Sequence, residues 1–383
     1  MTSLRESIRQ RFAPHKTIPL GLYQYQAPPE DVNNIRLHLR VEEDGRGVLI
    51  VNASTVLHLN QTATEYAYHL IKGDSNEVAA RAIASRYHVS SEKASVDYTD
   101  FVERIQTVAT TPEIDPIMYL DFEREKPYPD EISAPYRLDC ALTYRLHASE
   151  AASSAPTERV KRELDTNEWK TVFDKAWQAG IPHILLTGGE PTLRDDLFEL
   201  ITHTESNGQV TGLLTKGYQL SNANYLDALL QTGLDHLLFI FNPDDPVDWT
   251  ALRQILPGDL FTTVHITINQ ANQDNLPGHL QRLASEGVIS LSLSANSENF
   301  SENLIEARQE AANLGLSLVW DMPVPYSSLN PFELEFLDKG RPSGAGCAWL
   351  YVEPDGDVLP GQGINKVLGN FLSDPWSQIW KNR

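Results

Sequence analysis

The sequence predicts an α/β protein built around an open, partial barrel of six βα units, with a small α+β domain before it and a short hairpin after it. Three observations carry this prediction. Apolar, β-branched runs alternate with helical stretches from about residue 136 onward, and after the first interval they recur about every 25–28 residues. The preceding region has a different pattern, with strand-like runs followed by helices. The final stretch carries a hairpin signal.

Composition excludes several classes of protein. The 383 residues include 52 acidic and 31 basic side chains, a net charge of −21, which argues against a nucleic-acid partner. No apolar run is long enough to span a membrane. The opening MTSLRESIRQRF has no apolar segment typical of a secretory signal, so the expected location is the cytoplasm. With only two cysteines, Cys140 and Cys347, a disulfide framework is excluded.

Four segments are expected along the chain. Residues 1–110 form the α+β domain, in which a polar opening precedes two strands, a short apolar stretch and three helices. Residues 111–135 form a linker with five prolines and many acids. Residues 136–340 form the partial barrel, and residues 341–383 form the hairpin and a closing helix.

The strands of the barrel are expected where the apolar runs lie. These runs are Leu138–Tyr144, His183–Thr187, Val210–Thr215, His236–Phe241, Thr262–Ile268, Ile289–Ser294 and Ser317–Trp320. The interval after the first strand is longer than the others, and its excess falls at His147–Lys161. In a βα barrel this is a loop at the carboxyl end of the strands, where functional residues gather.

A glycine turn follows the second barrel strand in the segment HILLTGGEPTLRDDLFEL (183–200). Gly188 and Gly189 permit a sharp turn that exposes backbone groups, and the Glu190 carboxylate could accept hydrogen bonds from an ammonium group. Thr192 and Asp195 form a capping pattern for the next helix. For the glycine pair taken alone, an ordinary βα turn is the simpler interpretation.

The order of motifs gives the turn a more specific meaning. LTYR (142–145), a long loop, a helix beginning DTNEW (165–169) and LLTGGEP together resemble the radical S-adenosylmethionine (SAM) superfamily, especially its peptide-modifying members. The resemblance covers roughly 136–325. It implies that Gly188, Gly189, Glu190 and Pro191 match the turn that binds the methionyl amino group of SAM. Thr187 and Thr215 would complete a residual SAM-like pocket.

One departure from the family decides the cofactor prediction. The family places C-x-x-x-C-x-x-C after LTYR, where three thiolates hold a [4Fe–4S] cluster. Those positions are Leu146, Glu150 and Ser153 in this chain. We therefore expect no cofactor, no [4Fe–4S] cluster, no metal and no catalytic residue. Residual SAM binding stays open, although Ile240 stands where the family usually has a polar residue.

The C-terminal segment repeats this loss. SGAGCAWLYVEPDGDVLPG (343–361) resembles the SPASM or shorter twitch extension of the same enzymes, which carries auxiliary clusters on cysteines. Ser343 and Gly361 stand at two of those cysteine positions, and Cys347 lies about four residues away. The resemblance implies a kept hairpin and helix that act as a structural lid.

The N-terminal domain resembles the RiPP recognition element, a peptide-chaperone domain known from pyrroloquinoline quinone biosynthesis. The match covers roughly 35–108 and includes Leu59-Asn60, Thr64-Glu65, Lys72-Gly73 and Tyr87-His88-Val89. It implies that a leader peptide binds as an added strand on the sheet edge. A winged-helix-like packing domain without a partner is the alternative.

Three functions are compatible with this pattern. The favoured one is a non-catalytic radical SAM-like protein that binds a precursor (leader) peptide, an active radical SAM maturase, or both. The alternative is a SAM- or nucleotide-binding peptide-modifying enzyme that uses the old pocket without a cluster. The least favoured is a structural remnant without a specific partner. The pattern therefore leans towards a protein that is not an enzyme, with no nucleic acid and no membrane among its partners.

Overall fold

A computed structural model describes residues 18–28, 31, 35–52, 55–111, 132–148, 159–319, 344–362 and 364–383. The chain divides into two compact units, Met1–Pro127 and Tyr128–Arg383. Among the described residues, none of the helices combines the length and the apolarity needed to cross a membrane.

The first unit contains a four-stranded antiparallel sheet. Its strands are β1 (Gly21–Gln26), β2 (Arg36–Val41), β3 (Gly47–Val51) and β4 (Thr55–Leu59), and they lie side by side in that order. Strand β1 was not expected from the sequence, because GLYQYQ has few apolar residues and most of it stays exposed. Among the described residues, the two edges of this sheet are therefore β1 and β4.

Three helices follow the sheet: α1 (Gln61–Lys72), α2 (Asn76–Tyr87) and α3 (Ser91–Thr110). Helix α1 begins where the Asn60 side chain accepts a hydrogen bond from the Ala63 amide, and Gly73 ends the helix in the left-handed conformation. One face of the sheet packs on α1 and the end of α3 in a shared apolar cluster that includes Leu39, Leu49 and Leu57. Burying this face stabilises the unit.

The second unit is a parallel sheet whose strands alternate with helices. In chain order they are β5 (Arg137–Thr143), α4 (Thr166–Gln178), β6 (His183–Gly188), α5 (Leu197–Ser206), β7 (Val210–Thr215), α6 (Ala223–Leu230), β8 (His236–Ile240), α7 (Pro246–Ile255), β9 (Phe261–Ile268), α8 (Leu276–Ser285), β10 (Ser290–Ala295), α9 (Ser301–Asn313) and β11 (Ser317–Leu318). Strands β5 to β11 are neighbours in sequence order and pair in parallel, which confirms the predicted partial barrel.

The C-terminal segment extends the same sheet. Strand β12 (Trp349–Val352) pairs in parallel with β5, and β13 (Asp357–Leu359) and β14 (Gly369–Asn370) add antiparallel strands beyond it. Helix α10 (Trp376–Lys381) closes the chain. The hairpin predicted at this position is present, and it continues the barrel sheet.

The barrel strands divide their side chains between two faces. Alternate residues such as Leu186, Leu213, Phe239, Ile266 and Leu293 belong to one large apolar cluster shared with the surrounding helices. Because successive side chains of a strand point to opposite faces, the residues between them line the inside of the barrel. This inner face contains the candidate site.

Candidate functional site

The glycine turn after β6 is held by the end of β5. The Gly189 amide donates to the Thr143 carbonyl at 2.7 Å, and the Glu190 amide donates to the Arg145 carbonyl at 2.9 Å. A Cβ on Gly188 would lie 2.2 Å from the Thr143 oxygen, and Gly188 has φ +132°, a conformation that favours glycine. Both glycines are therefore required for close approach to the LTYR segment.

Glu190 is fully buried and ties two loops together. Its Oε1 accepts from the Thr192 amide at 3.1 Å, from the Thr192 hydroxyl at 2.5 Å and from the Thr215 hydroxyl at 2.6 Å. Its Oε2 accepts from the Lys216 amide at 3.0 Å. The carboxylate thus links the turn after β6 to the end of β7, and most of its acceptor capacity is used within the protein.

The remaining predicted pocket residues lie around this clamp. Pro191 is buried and opens a short 3-10 turn, Pro191–Leu193, and α5 begins only at Leu197. The predicted capping role of Thr192 is wrong, because its hydroxyl donates to Glu190 two residues earlier. The structure therefore brings Thr187, the glycine turn and Thr215 together at the carboxyl ends of adjacent strands.

Thr187 differs from its neighbours in having an unused hydroxyl. The residue is fully buried, and its Oγ1 has no hydrogen-bond partner. It alternates with Leu186 of the outer apolar cluster, so its side chain lies on the inner face of the barrel. A buried hydroxyl without a partner costs free energy, about 1–3 kcal/mol, unless a ligand or water completes it.

The segment after β5 is described in part. Leu146 packs in a small apolar cluster with Ala141, Tyr144, Tyr351 and Leu359. Its side chain offers no atom that binds iron. The other two predicted cluster positions, Glu150 and Ser153, lie outside the described residues.

The two thiols are placed apart from this turn. Cys140 is fully buried on β5, on the face shared with the helices, and burial, with the nearby Asp139 carboxylate, raises the pKa of its thiol well above the usual value. Cys347 is half-buried just before β12. The Cys140 side chain therefore behaves as a small apolar core residue.

Two histidines meet across β7 on the inner face. The Nε2 atoms of His183 and His236 lie 2.7 Å apart, although their strands are separated by β7. Gly212 on β7 makes this contact feasible, since a Cβ there would lie 2.1 Å from Cε1 of His236. Burial and the charge of Arg137 lower the pKa of His236 to about 4, so this ring is neutral at pH 7.

A continuous polar surface covers the inner face of β9 and β10, and the sequence interpretation missed it. We call it the polar wall; its residues are Thr263, His265, Thr267, Ser290, Ser292 and Ser294. Burial lowers the pKa of His265 to about 3, so the imidazole is neutral. The signal was present in the alternation of polar and apolar residues from Thr263 to Ile268 and in the segment SLSLSA. Strands of a parallel barrel are usually apolar on both faces.

The glycine turn and the barrel strands around it lie in a segment that matches a known superfamily. Residues 140–242, which include β5, the glycine turn and β8, match the model of the radical SAM superfamily. This segment of the chain is therefore similar to the radical SAM superfamily, as the motifs suggested.

Several relatives carry the name PqqA peptide cyclase. The protein from Granulibacter bethesdensis is 29% identical over 172 residues, which is 41% of this chain and 46% of that protein. The protein from Streptomyces rochei is 25% identical over 65% of this chain and 76% of its own length. The protein from Methylocella silvestris is 40% identical over 28% of this chain and 30% of its own length. The chain thus spans less than half of two of these relatives.

Solved structures share the fold across nearly the whole chain. Streptococcus suis SuiB bound to S-adenosylmethionine has a TM-score of 0.61 at 12% identity, covering 90% of this chain and 86% of SuiB. SuiB bound to its precursor peptide SuiA has a TM-score of 0.60 at 11% identity, covering 93% of this chain and 88% of SuiB. At such identities the similarity establishes the fold alone.

The comparisons overturn the cofactor prediction. We expected no cofactor and no [4Fe–4S] cluster, yet the matched family is the one that uses SAM with such a cluster, and SuiB of the same fold binds SAM. The prediction was wrong because it rested only on the residues at three positions, where Leu146, Glu150 and Ser153 replace cysteines. The absence of these thiols does not show that no cofactor binds. The unused Thr187 hydroxyl and the intact glycine turn fit the polar amino-acid end of SAM.

Proposed function

We propose that this protein takes part in the modification of a ribosomally made peptide, and that it acts by binding the precursor peptide rather than by transforming it. The observation that carries the proposal is the combination of a segment that matches the radical SAM superfamily with a separate unit whose sheet, among the described residues, ends at the edge strand β4. Relatives named for action on the PqqA peptide, and SuiB crystallised with its precursor, support a peptide as the ligand.

The first unit is proposed to be the peptide-binding unit, a RiPP recognition element. Among the described residues β4 has a strand partner on one side only, namely β3. An extended peptide adds to such an edge through main-chain hydrogen bonds, and side-chain pockets then supply specificity. Val56 and His58 are half-buried on β4, on the sheet face opposite Leu57 and Leu59.

The non-catalytic part of the proposal rests on the loop after β5. Family members carry three thiols there, and this chain carries Leu146, Glu150 and Ser153. The proposal concerns turnover and not cofactor content, so SAM bound at Thr187 and the glycine turn is compatible with it. An active maturase is proposed as a second partner, in the cytoplasm, because a protein that only binds the peptide needs another that modifies it.

A second candidate is a SAM-using enzyme that modifies the peptide itself. The intact turn at Gly188 and Gly189 and the unused Thr187 hydroxyl favour it. In that case Thr187 and the turn would bind and orient SAM, which supplies the radical chemistry of this family. Peptide turnover distinguishes the two candidates, because both predict peptide binding.

Titration of the full chain into a fluorescent synthetic PqqA peptide, called the PqqA probe below, tests the binding proposal by anisotropy. We expect saturable binding, weakened at least tenfold by Val56→Lys, because a lysine on an edge strand opposes the addition of another strand. The matched control is Gln24→Lys on β1, the opposite edge, which should change the affinity less than twofold. Absence of binding, or equal weakening by both variants, would contradict the proposed peptide edge.

A further inference from the structure

The polar wall on β9 and β10 consists of two hydrogen-bonded groups. Towards the start of the strands, the hydroxyls of Thr263 and Ser290 lie 2.8 Å apart. Towards their carboxyl ends, His265 Nδ1 lies 3.0 Å from the Ser292 hydroxyl. Its Nε2 lies 3.0 Å from the Ser294 hydroxyl.

Thr267 completes the group at the carboxyl ends of the strands, which we call the upper group and which also contains His265, Ser292 and Ser294. Its hydroxyl lies 3.1 Å from His265 Nε2 and 3.2 Å from the Ser294 hydroxyl. His265, Ser292 and Ser294 are at least 95% buried, and Thr267 is half-buried at the rim where the strands end. The carboxyl ends of parallel strands are where α/β proteins bind their ligands.

The hydrogens of the upper group do not all find acceptors. A neutral imidazole has one N–H and one acceptor nitrogen, and each hydroxyl supplies one hydrogen. If His265 is protonated on Nδ1, that N–H donates to Ser292, and the Ser292 hydrogen has no acceptor among the described residues. If it is protonated on Nε2, Ser292 donates to Nδ1, and one hydrogen of the Thr267–Ser294 pair is left over.

A donor is therefore left over in either tautomer: the buried Ser292 hydroxyl in the first, and the Ser294 hydroxyl or the half-buried Thr267 hydroxyl at the rim in the second. The unused hydroxyl of Thr187 lies on the same inner face, and it too has no acceptor. A buried donor without an acceptor is costly, and a ligand that supplies the acceptor removes that cost. A ligand with oxygen acceptors would therefore satisfy the hydroxyl groups of the inner face.

The charge and apolarity of the surroundings limit what that ligand is. In the described part of the chain, the hydrogen bonds of the wall join only hydroxyl groups and the neutral imidazole of His265, and no charged side chain bonds to them. An anion bound by these groups alone would be buried without a paired cation, which is strongly unfavourable. Beside the wall, Leu214, Leu238 and Ile240 form an apolar inner surface, and Ile240 lies next to His265 in the register.

We infer that His265, Thr267, Ser292 and Ser294 of the polar wall bind a neutral carboxamide: a glutamine or asparagine side chain of the peptide that this protein handles. The amide oxygen accepts the left-over hydroxyl hydrogen, and the aliphatic stem contacts the apolar surface of β7 and β8. This inference rests on the proposed function for the source of the amide. His265 acts as a positioning residue that holds the Ser294 and Thr267 hydroxyls in place.

Nuclear magnetic resonance of the full chain tests the inference with a matched pair of probes, N-acetyl-glutamine-N-methylamide and N-acetyl-glutamate-N-methylamide. The readout is the imidazole ¹³Cε1–H signal of His265, assigned by its loss in His265→Asn. We expect a saturable shift with the glutamine probe and at least fivefold weaker binding of the glutamate probe. No saturable shift, or a glutamate probe that binds as tightly as the glutamine probe, would overturn the inference.

Variants of the wall locate the binding. Ser294→Ala and Thr267→Val should each weaken the glutamine probe about 3- to 10-fold, the loss typical of one neutral hydrogen bond. Ser290→Ala is the matched control on the same strand and face, and it should stay within twofold. Equal effects of Ser290→Ala and Ser294→Ala would also overturn the inference; thermal unfolding of each variant identifies one that fails to fold, and the second variant then decides. Binding of the PqqA probe is scored separately, so loss at the β4 edge and loss at the wall are distinguishable.

Discussion

The two sides of the barrel use buried polar groups in different ways. After β6, the Glu190 carboxylate accepts four hydrogen bonds from Thr192, Thr215 and Lys216, and so holds two loops of the protein together. On β9 and β10, the His265 group keeps a hydrogen that no described residue accepts. The acceptors of Glu190 are thus used within the protein, whereas the polar face of β9 and β10 keeps a donor for a ligand.

The largest effect on stability is expected from a substitution of Glu190, the residue that holds the two loops together. Glu190→Gln replaces one acceptor oxygen by an NH₂ group that faces donors, and we expect a loss of about 3 kcal/mol in the free energy of unfolding. Urea denaturation followed by circular dichroism measures it. The control is Glu199→Gln, an exposed partner of Lys170, for which we expect a change below about 1 kcal/mol. If Glu190→Gln were as stable as the parent, Glu190 would not be the clamp described above.

A smaller effect is expected for His265 of the polar wall, whose contribution to stability depends on pH. The pKa of His265 is about 3 in the folded protein and about 6.5 in the unfolded chain, so the folded protein favours the neutral ring. Its contribution to stability is fully present above pH 6.5 and is lost as the pH falls towards 3. Between pH 7 and pH 5 the loss is about 2 kcal/mol, from 1.36 kcal/mol for each pKa unit.

Other groups titrate in the same range, so the measurement must be a difference. His236, with a pKa of about 4, loses stability in acid as His265 does, and Asp248, with a pKa raised to about 6 by burial, gains stability. We therefore compare the parent with His265→Asn in urea at pH 7 and pH 5. The stability advantage of the parent should shrink by about 2 kcal/mol. An advantage that is unchanged with pH would show that the His265 ring is not held neutral.

The architecture was largely predictable because its signals are local. The seven barrel strands, the turn at Gly188 and Gly189, and the hairpin follow from β-branched runs and glycine positions along the chain. Strand β1 was not predicted because GLYQYQ has little apolar character, and its pairing with β2 depends on backbone hydrogen bonds. Helix α5 starts at Leu197 because Thr192 bonds to Glu190 and leaves the predicted cap unused.

The candidate site was only partly predictable for a different reason. The residues of the glycine turn form a contiguous motif, so the sequence places them together. The polar wall depends on the register of β9 and β10, which sets Ser292 beside His265 and Ser294 beside Thr267. Pairing between strands that are 27 residues apart is not encoded in any local pattern, although the alternation of serine and leucine in SLSLSA did indicate a polar face.

One measurement tests most directly the claim that this protein binds a precursor peptide without transforming it. The full chain, after anaerobic iron–sulfur reconstitution, is incubated with SAM, a chemical reductant and the PqqA probe, and the peptide and SAM are followed by mass spectrometry. We predict that the bound peptide is recovered at its original mass and that SAM is not consumed beyond a control without protein. A new peptide mass, with SAM consumed in proportion, would contradict the account and establish the enzyme alternative.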